Sequence, residues 1–153
     1  CRHLILRTSW VYGARGGNFA RTMLRLARER ERLTVIDDQW GAPTGAELLA
    51  DVTAHAVRHL QTHPEHGGLY HCVAGGETNW FSYAKYVISQ ARQAQPAIQI
   101  KANEVAPVPT SAYPTPARRP SNSRLDTAKL RTTFGLTLPP WEQGVARMLA
   151  EIL

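Results

Sequence analysis

Lysine is scarce in this sequence. Three lysines stand beside 15 arginines in 153 residues, and the formal net charge is +6. Guanidinium groups grip phosphate oxygens in a bidentate fork, so the arginine surplus fits either a solvated basic surface or a site for phosphate. Nucleic acid is disfavoured, because the arginines are not interleaved with aromatics in any recognisable RNA- or DNA-binding motif. Cysteine is scarcer still. Cys1 and Cys72 make neither a disulfide framework nor a zinc site. Free thiols fit a reducing compartment, and so the cytoplasm. No apolar run approaches the roughly 18 residues that span a bilayer, so no membrane partner is expected. The opening Cys1-Arg2-His3-Leu4-Ile5-Leu6-Arg7 is not a signal peptide. It starts on a buried-strand pattern with no initiator Met, which reads as a chain cut from something longer.

Self-contained catalytic signatures are also missing. There is no G-x-G-x-x-G, no P-loop, no H-E-x-x-H and no G-x-S-x-G elbow. Gly13-x-x-Gly16-Gly17 lies between a strand and a helix but has the spacing of a turn. His63-Pro-Glu-His66 holds two imidazoles around a proline that breaks the helix needed to align them, so it reads as a surface turn.

What remains is an ordinary globular composition, 43% hydrophobic and 20% charged, long enough to bury a real core. Leu4 to Tyr12 reads as a strand running into a loop, apolar enough at its start for a parallel sheet buried on both faces. Asn18 caps a helix with Phe19, Met23, Leu26 and Ala27 on one face. Leu33 to Ile36 is a short strand, and Asp37 to Gly45 a polar loop. Thr44 and Glu47 match a capping box ahead of a helix through Leu60. Leu69 to Val73 is a strand. Thr78 or Asn79 caps a helix with Trp80, Tyr83, Ala84, Val87 and Ala91 on one face. Ile98 to Val105 fits an edge strand. Pro107 to Pro120 is too proline-rich for helix or central strand. A short helix then ends at Gly135, and Pro140 suits the first position of a last one. The alternation of strands and helices gives an α/β fold in one unit, residues 1–153.

Three loop segments carry the candidate site. Thr8-Ser9-Trp10-Val11-Tyr12-Gly13 follows a strand, where open α/β sheets bind ligands. Trp10 is either plain core or an indole face for a sugar or nicotinamide ring. Asp37-Asp38-Gln39-Trp40-Gly41-Ala42-Pro43-Thr44 runs into a helix N-terminus, either an ordinary cap or a place for anions and acceptor-rich rings. Arg118-Arg119-Pro120-Ser121-Asn122-Ser123 offers a diphosphate clamp, or a solvated arginine pair.

Together these segments resemble a family. Arg7-Thr8-Ser9-Trp10-Val11-Tyr12-Gly13, Asn18-Phe19 with Thr22-Met23-Leu24, Asp38-Gln39-x-Gly41-x-Pro43-Thr44, and Arg119-Pro120-x-x-Ser123-x-Leu125-Asp126, in this order and through Trp141-x-x-Gly144-Val145, look like the dTDP-4-dehydrorhamnose reductases, a family of extended short-chain dehydrogenases. The resemblance implies the last strands and helices of a Rossmann-type sheet with a small C-terminal substrate-binding subdomain, the N-terminal cofactor half being absent. It implies NADPH-dependent reduction of dTDP-4-dehydro-L-rhamnose to dTDP-L-rhamnose, a step toward bacterial cell-surface polysaccharide such as O-antigen. The general acid of the family is the Tyr of a Tyr-x-x-x-Lys pair. None of the five tyrosines here has a Lys four residues on, so this stretch alone should not catalyse.

By the same resemblance Trp10 would contact the sugar, Thr8 and Ser9 would line the cofactor side, and Asn18 would face the nucleotide-sugar. Gln39, Gly41, Pro43 and Thr44 would shape the nucleotide pocket, and Arg119, with Arg118, would hold the diphosphate. Some members dimerise around magnesium held by glutamates. Glu47 and Glu151 would serve here, unless Glu47 only completes its capping box. A homodimer is the expected assembly. The alternative is a binding module on the same scaffold, like the regulatory subunit of methionine adenosyltransferase. The isolated piece is expected to associate, swap or be partly disordered around residues 107–120, because an orphaned strand leaves unpaired edges.

Overall fold

The computed structural model describes residues 3–95, 97–113 and 119–153; Cys1 and Arg118 lie outside them. Strands and helices alternate: β1 Leu4–Arg7, β2 Val11–Tyr12, α1 Phe19–Glu29, β3 Arg32–Ile36, β4 Trp40–Gly41, β5 Thr44–Gly45, α2 Ala46–Thr62, β6 Gly68–His71, β7 Thr78–Asn79, α3 Trp80–Ala94, β8 Glu104–Val108, α4 Ala128–Phe134 and α5 Trp141–Ile152. Single 3-10 turns occupy Pro64–His66 and Thr110–Ala112. The described strands form four pairs: β1 with β6, β2 with β5 and β3 with β8 run parallel, and β4 with β7 antiparallel. No described helix is long and apolar enough to cross a membrane.

The helical periodicity of the sequence becomes packing. Helix α1 buries Ala20, Met23, Leu24 and Ala27, positions on one stripe of a 3.6-residue helix. Asn18 starts it: its Oδ1 accepts from the Arg21 backbone N at 3.0 Å. Helix α3 lies against both α1 and α5. Leu24, Tyr83, Val87, Trp141, Val145 and Leu149 close the core between them. Each large aliphatic side chain buried there stabilises by roughly 1.5–3 kcal/mol.

A second core lies between α2, α4 and the β1–β6 pair, built from Val52, Ala56, Tyr70, Cys72, Leu130 and Phe134, with Leu4 and Leu6 packed on it. Burial pushes the Cys72 thiol up to about 11, so it stays protonated and inert at neutral pH. Gly135 ends α4 in the left-handed region, at φ 63°, as its position after the last periodic residue predicts.

The structure departs from the sequence reading at four places. The β1–β6 pair is covered on one face only: Ile5 and Leu69 stand in register on the other, 50% and 42% exposed. The edge strand begins at Glu104 rather than Ile98, because the Ala102 and Asn103 amides bond the carbonyls of Ala27 and Glu31 at the end of α1. It also runs through Pro107, which an edge strand tolerates on the side that donates nothing. Pro140 is the cap of α5 rather than its first residue. The Thr44–Glu47 capping box does not form. Helix α2 is capped by Gly45 with no side-chain bond. The Thr44 hydroxyl instead donates to the Ala42 carbonyl at 3.0 Å and accepts from the Ala74 amide at 3.3 Å. Thr44 is wholly buried, and burial makes those two partners obligatory.

A candidate nucleotide-sugar cleft

The ends of β1, β3 and β4, the N-terminal parts of α1 and α3, and the segments around Thr110 and Arg119 enclose a cleft of about 610 Å³. That is the size range of small-molecule sites, roughly 300–1,000 Å³. Trp10, Phe19, Met23 and Trp80 give it an apolar wall, and Gln39, Thr110, Tyr113 and Arg119 its polar groups. Trp10 and Trp80 stack, with centroids 3.8 Å apart and planes at 17°. Phe19 tilts against Trp80 at 4.6 Å.

Hydrogen bonds lock the polar side. The Asp38 carboxylate accepts from the Thr110 amide at 3.0 Å and from its hydroxyl at 2.5 Å. Those bonds, the side-chain one foremost, hold the Asp38 carboxyl below its usual range. Gln39 is 7% exposed; its Nε2 donates to the Thr110 hydroxyl at 3.0 Å, and its Oε1 accepts from the Trp80 indole N–H at 3.2 Å. Asp38, Thr110, Gln39 and Trp80 thus form one continuous chain. The arginine segment is tied to the same loop: the Trp40 amide donates to the Ser121 carbonyl at 2.9 Å, and the Ser123 amide to the Trp40 carbonyl at 2.8 Å. Tyr113 is anchored on β3 through its hydroxyl, which bonds the Thr34 carbonyl at 3.2 Å.

Trp10 is the one non-glycine residue with positive φ among those described, at 51°. For an L-residue that conformation costs roughly 1–2 kcal/mol. Such strain persists only where neighbours over-determine it. The Trp10 carbonyl accepts from the Thr44 amide at 3.1 Å, and Gly41 lies directly against its ring.

Of the residues singled out from the sequence, Trp10, Gln39 and Arg119 line this one cleft. Gly41 supports Trp10 from beneath. Ser9 donates to the Ser123 carbonyl at 3.0 Å and so ties the end of β1 to the arginine segment. Thr8 is exposed beside it. Three others face elsewhere. Asn18 has both ends of its amide engaged, one capping α1 and the other donating to the Gly13 carbonyl at 2.8 Å. Pro43 and Thr44 are wholly buried, so they shape the loop from within. The two glutamates expected at a metal do not form a centre within the chain. Glu47 pairs with Arg147 at 3.6 Å, and Glu151 is exposed on the last turn of α5. Among the described residues no group of three or more His, Cys, Asp or Glu side chains is arranged to hold a metal ion. Trp80, Thr110, Asp38 and Tyr113 went unassigned in the sequence. Trp80 sits at helical spacing with core residues, which concealed its place on the cleft wall.

These features define an α/β domain with an aromatic, arginine-flanked cleft at the ends of its strands. The chain belongs to the RmlD substrate binding domain family, whose model matches residues 1–153. It is 61% identical over 151 residues to a dTDP-4-dehydrorhamnose reductase from Shigella flexneri, covering 99% of this chain and 50% of that protein. With one from Burkholderia thailandensis it shares 43% over 154 residues, covering 98% and 52%. The chain thus spans about half the length of the curated relatives it matches. Among solved structures it is similar to a dTDP-4-dehydrorhamnose reductase from Bacillus anthracis in complex with NADP, at TM-score 0.78 and 37% identity, covering 97% of this chain and 48% of that one.

Proposed function

We propose that this chain is the C-terminal, substrate-binding part of an NADPH-dependent reductase that converts dTDP-4-dehydro-L-rhamnose to dTDP-L-rhamnose in the cytoplasm. The observation that carries the reading is the meeting of Trp10 and Arg119 in one cleft, on a chain whose relatives are reductases of this name. When bound, the nicotinamide supplies the hydride. The residues of this chain bind and orient. Arg119 offers a planar fork to the diphosphate. Trp10 and Trp80 line the sugar end, and the bonds of Gln39 and Thr110 to Trp80 and Asp38 hold that wall in place. The proton donor belongs to the half that this sequence does not contain. Ile5 and Leu69 mark the face of β1–β6 against which that half packs. A homodimer is part of the same reading.

Isothermal titration of dTDP-rhamnose and of dTDP into the full-length protein tests it. Arg119→Ala should weaken both ligands by about 10- to 100-fold, the worth of a charge-assisted hydrogen bond of roughly 1.5–3 kcal/mol. Trp10→Ala should weaken dTDP-rhamnose more than dTDP. Unchanged affinity in both variants removes the site assignment.

A further inference from the structure

The Trp10 indole has two faces, and both are covered. A Cβ built on Gly41 would stand 2.7 Å from Trp10 Cε2 and 3.0 Å from both Cδ2 and Cζ2. A point equidistant from those two atoms and nearer the one between them lies above the ring, close over Cε2, and not at its edge. Gly41 therefore backs one face. Trp80 stacks at 3.8 Å between centroids, and a ring overlapping that closely leaves no room for the Gly41 backbone on the same side. Trp80 therefore covers the other face. Trp10 still lines the cleft, so the part it presents is its rim. The sequence pointed instead to an open indole face.

The two jaws come from one piece of local structure. The β4–β7 pair sets Gly41 beside Thr78 and Trp40 beside Asn79. Strand β7 runs straight into α3, whose first residue is Trp80. Asn79 caps that helix, accepting from the Ser82 amide at 2.8 Å, and the Gln39 carbonyl oxygen holds the Trp80 N–H. The jaws thus have a fixed separation, one indole thick, and the left-handed backbone of Trp10 delivers the ring between them.

We infer that Gly41 and Trp80 are positioning residues: they clamp the Trp10 indole so that its edge, and not its face, meets the sugar. The inference rests on the reading of this cleft as a nucleotide-sugar site. Any side chain at residue 41 must push the ring out of the clamp. Any smaller ring at residue 80 lets it rotate.

The full-length protein is compared with Gly41→Ala, Trp80→Phe, Trp10→Phe and the Gly41→Ala/Trp10→Phe double variant. The readouts are far-ultraviolet circular dichroism, thermal melting, and titration with dTDP-rhamnose and dTDP. The wild type should show the exciton couplet of two stacked indoles, lost in Trp80→Phe and Trp10→Phe and reduced in Gly41→Ala. Gly41→Ala and Trp80→Phe should each weaken dTDP-rhamnose by about tenfold while dTDP changes by less than about twofold, since an ångström of misplacement reaches the sugar and not the nucleotide. In the Trp10→Phe background, Gly41→Ala should add less than about twofold. A wild type without the couplet overturns the clamp. So does a folded Gly41→Ala or Trp80→Phe protein that binds dTDP-rhamnose as the wild type does, or a Gly41→Ala effect that persists with Phe at residue 10. Failure of the wild type to bind either ligand, with the couplet present, is the distinct result that removes the nucleotide-sugar reading and the sugar role together.

Discussion

Two apolar surfaces of this chain face solvent, and they are built on different plans. The exposed face of the β1–β6 pair carries Ile5 and Leu69 side by side in register, with the Arg7–His71 pair one step along the same face. The wall of the cleft is concave and aromatic, and a hydrogen-bonded chain from Asp38 to Trp80 fixes its geometry. Aliphatic side chains exposed side by side on a strand pair suit the packing of more protein. Concave aromatic surface with a few convergent polar groups suits a small molecule. On the proposed reading, the same domain separates a surface that packs against more protein from a surface that selects a ligand.

The largest effects should come from challenging the β1–β6 face in the full-length protein. Val57 on α2 is 50% exposed, as Ile5 is, and serves as its control. Ile5→Gln and Leu69→Gln should each destabilise by about 1–3 kcal/mol, the cost of burying an unpaired polar group. Val57→Gln should stay within about 0.5 kcal/mol, as isolated surface changes do. Urea unfolding measures all three. Equal effects at Ile5 and Val57 would mean that the β1–β6 face is ordinary surface.

On the cleft side, Gln39→Leu removes two hydrogen bonds at once and leaves the Trp80 N–H without its acceptor. Stability should fall by about 1–2 kcal/mol, and dTDP-rhamnose affinity should fall with it. Loss of stability with affinity untouched would separate the hydrogen-bonded chain from ligand selection. Tyr83 behind this wall runs the other way. It is 2% exposed, and its hydroxyl has no hydrogen-bond partner among the described residues. Burial, and then Tyr12, push its ionisation upward. Tyr83→Phe should therefore be neutral or stabilise by up to about 1 kcal/mol. A loss above that range would reveal a partner for the hydroxyl.

The two surfaces were unequally legible in the sequence. The helices carried a strong period-3.6 pattern, and α1, α3 and α5 formed where Met23, Tyr83 and Val145 predict them. The α/β class followed from the order of elements. The strands of two residues were invisible, because neither periodicity nor propensity acts over so short a length. The bare face of β1–β6 was hidden too: Leu4, Ile5 and Leu6 are all apolar, and a run of that kind does not say which faces will be covered. In the cleft, Trp10, Gln39 and Arg119 could be singled out from loop chemistry and family resemblance. Trp80 could not, because a tryptophan at helical spacing with Tyr83 and Val87 reads as core. Thr44 misled for a related reason. Its spacing to Glu47 is that of a capping box, but tertiary burial beside Ala74 won over the local pattern.

The smallest effect concerns the covered side of the same strand pair, where the end of α2 meets α4. His59 packs edge-on against Phe134 at 5.2 Å. Its Nε2 is hydrogen-bonded to His66 Nδ1 at 2.7 Å. The His63 ring stacks on it at 4.5 Å. Partial burial first, then the neighbouring His63, His66 and His55, lower the His59 pKa from its ordinary 6.5; Glu65 opposes them and is outweighed. A lowered folded-state value means that the unfolded chain takes up the proton first as pH falls. This histidine therefore leaves stability unchanged above about pH 6.5 and erodes it below, until the folded form is protonated as well. His59→Gln keeps a polar side chain there and removes the titration. The melting temperature of the wild type relative to His59→Gln should therefore decline as pH is lowered from about 7.5 to 5. A relative melting temperature that rises over that range would mean that the carboxylate of Glu65, or the negative end of α2, dominates the ring's surroundings.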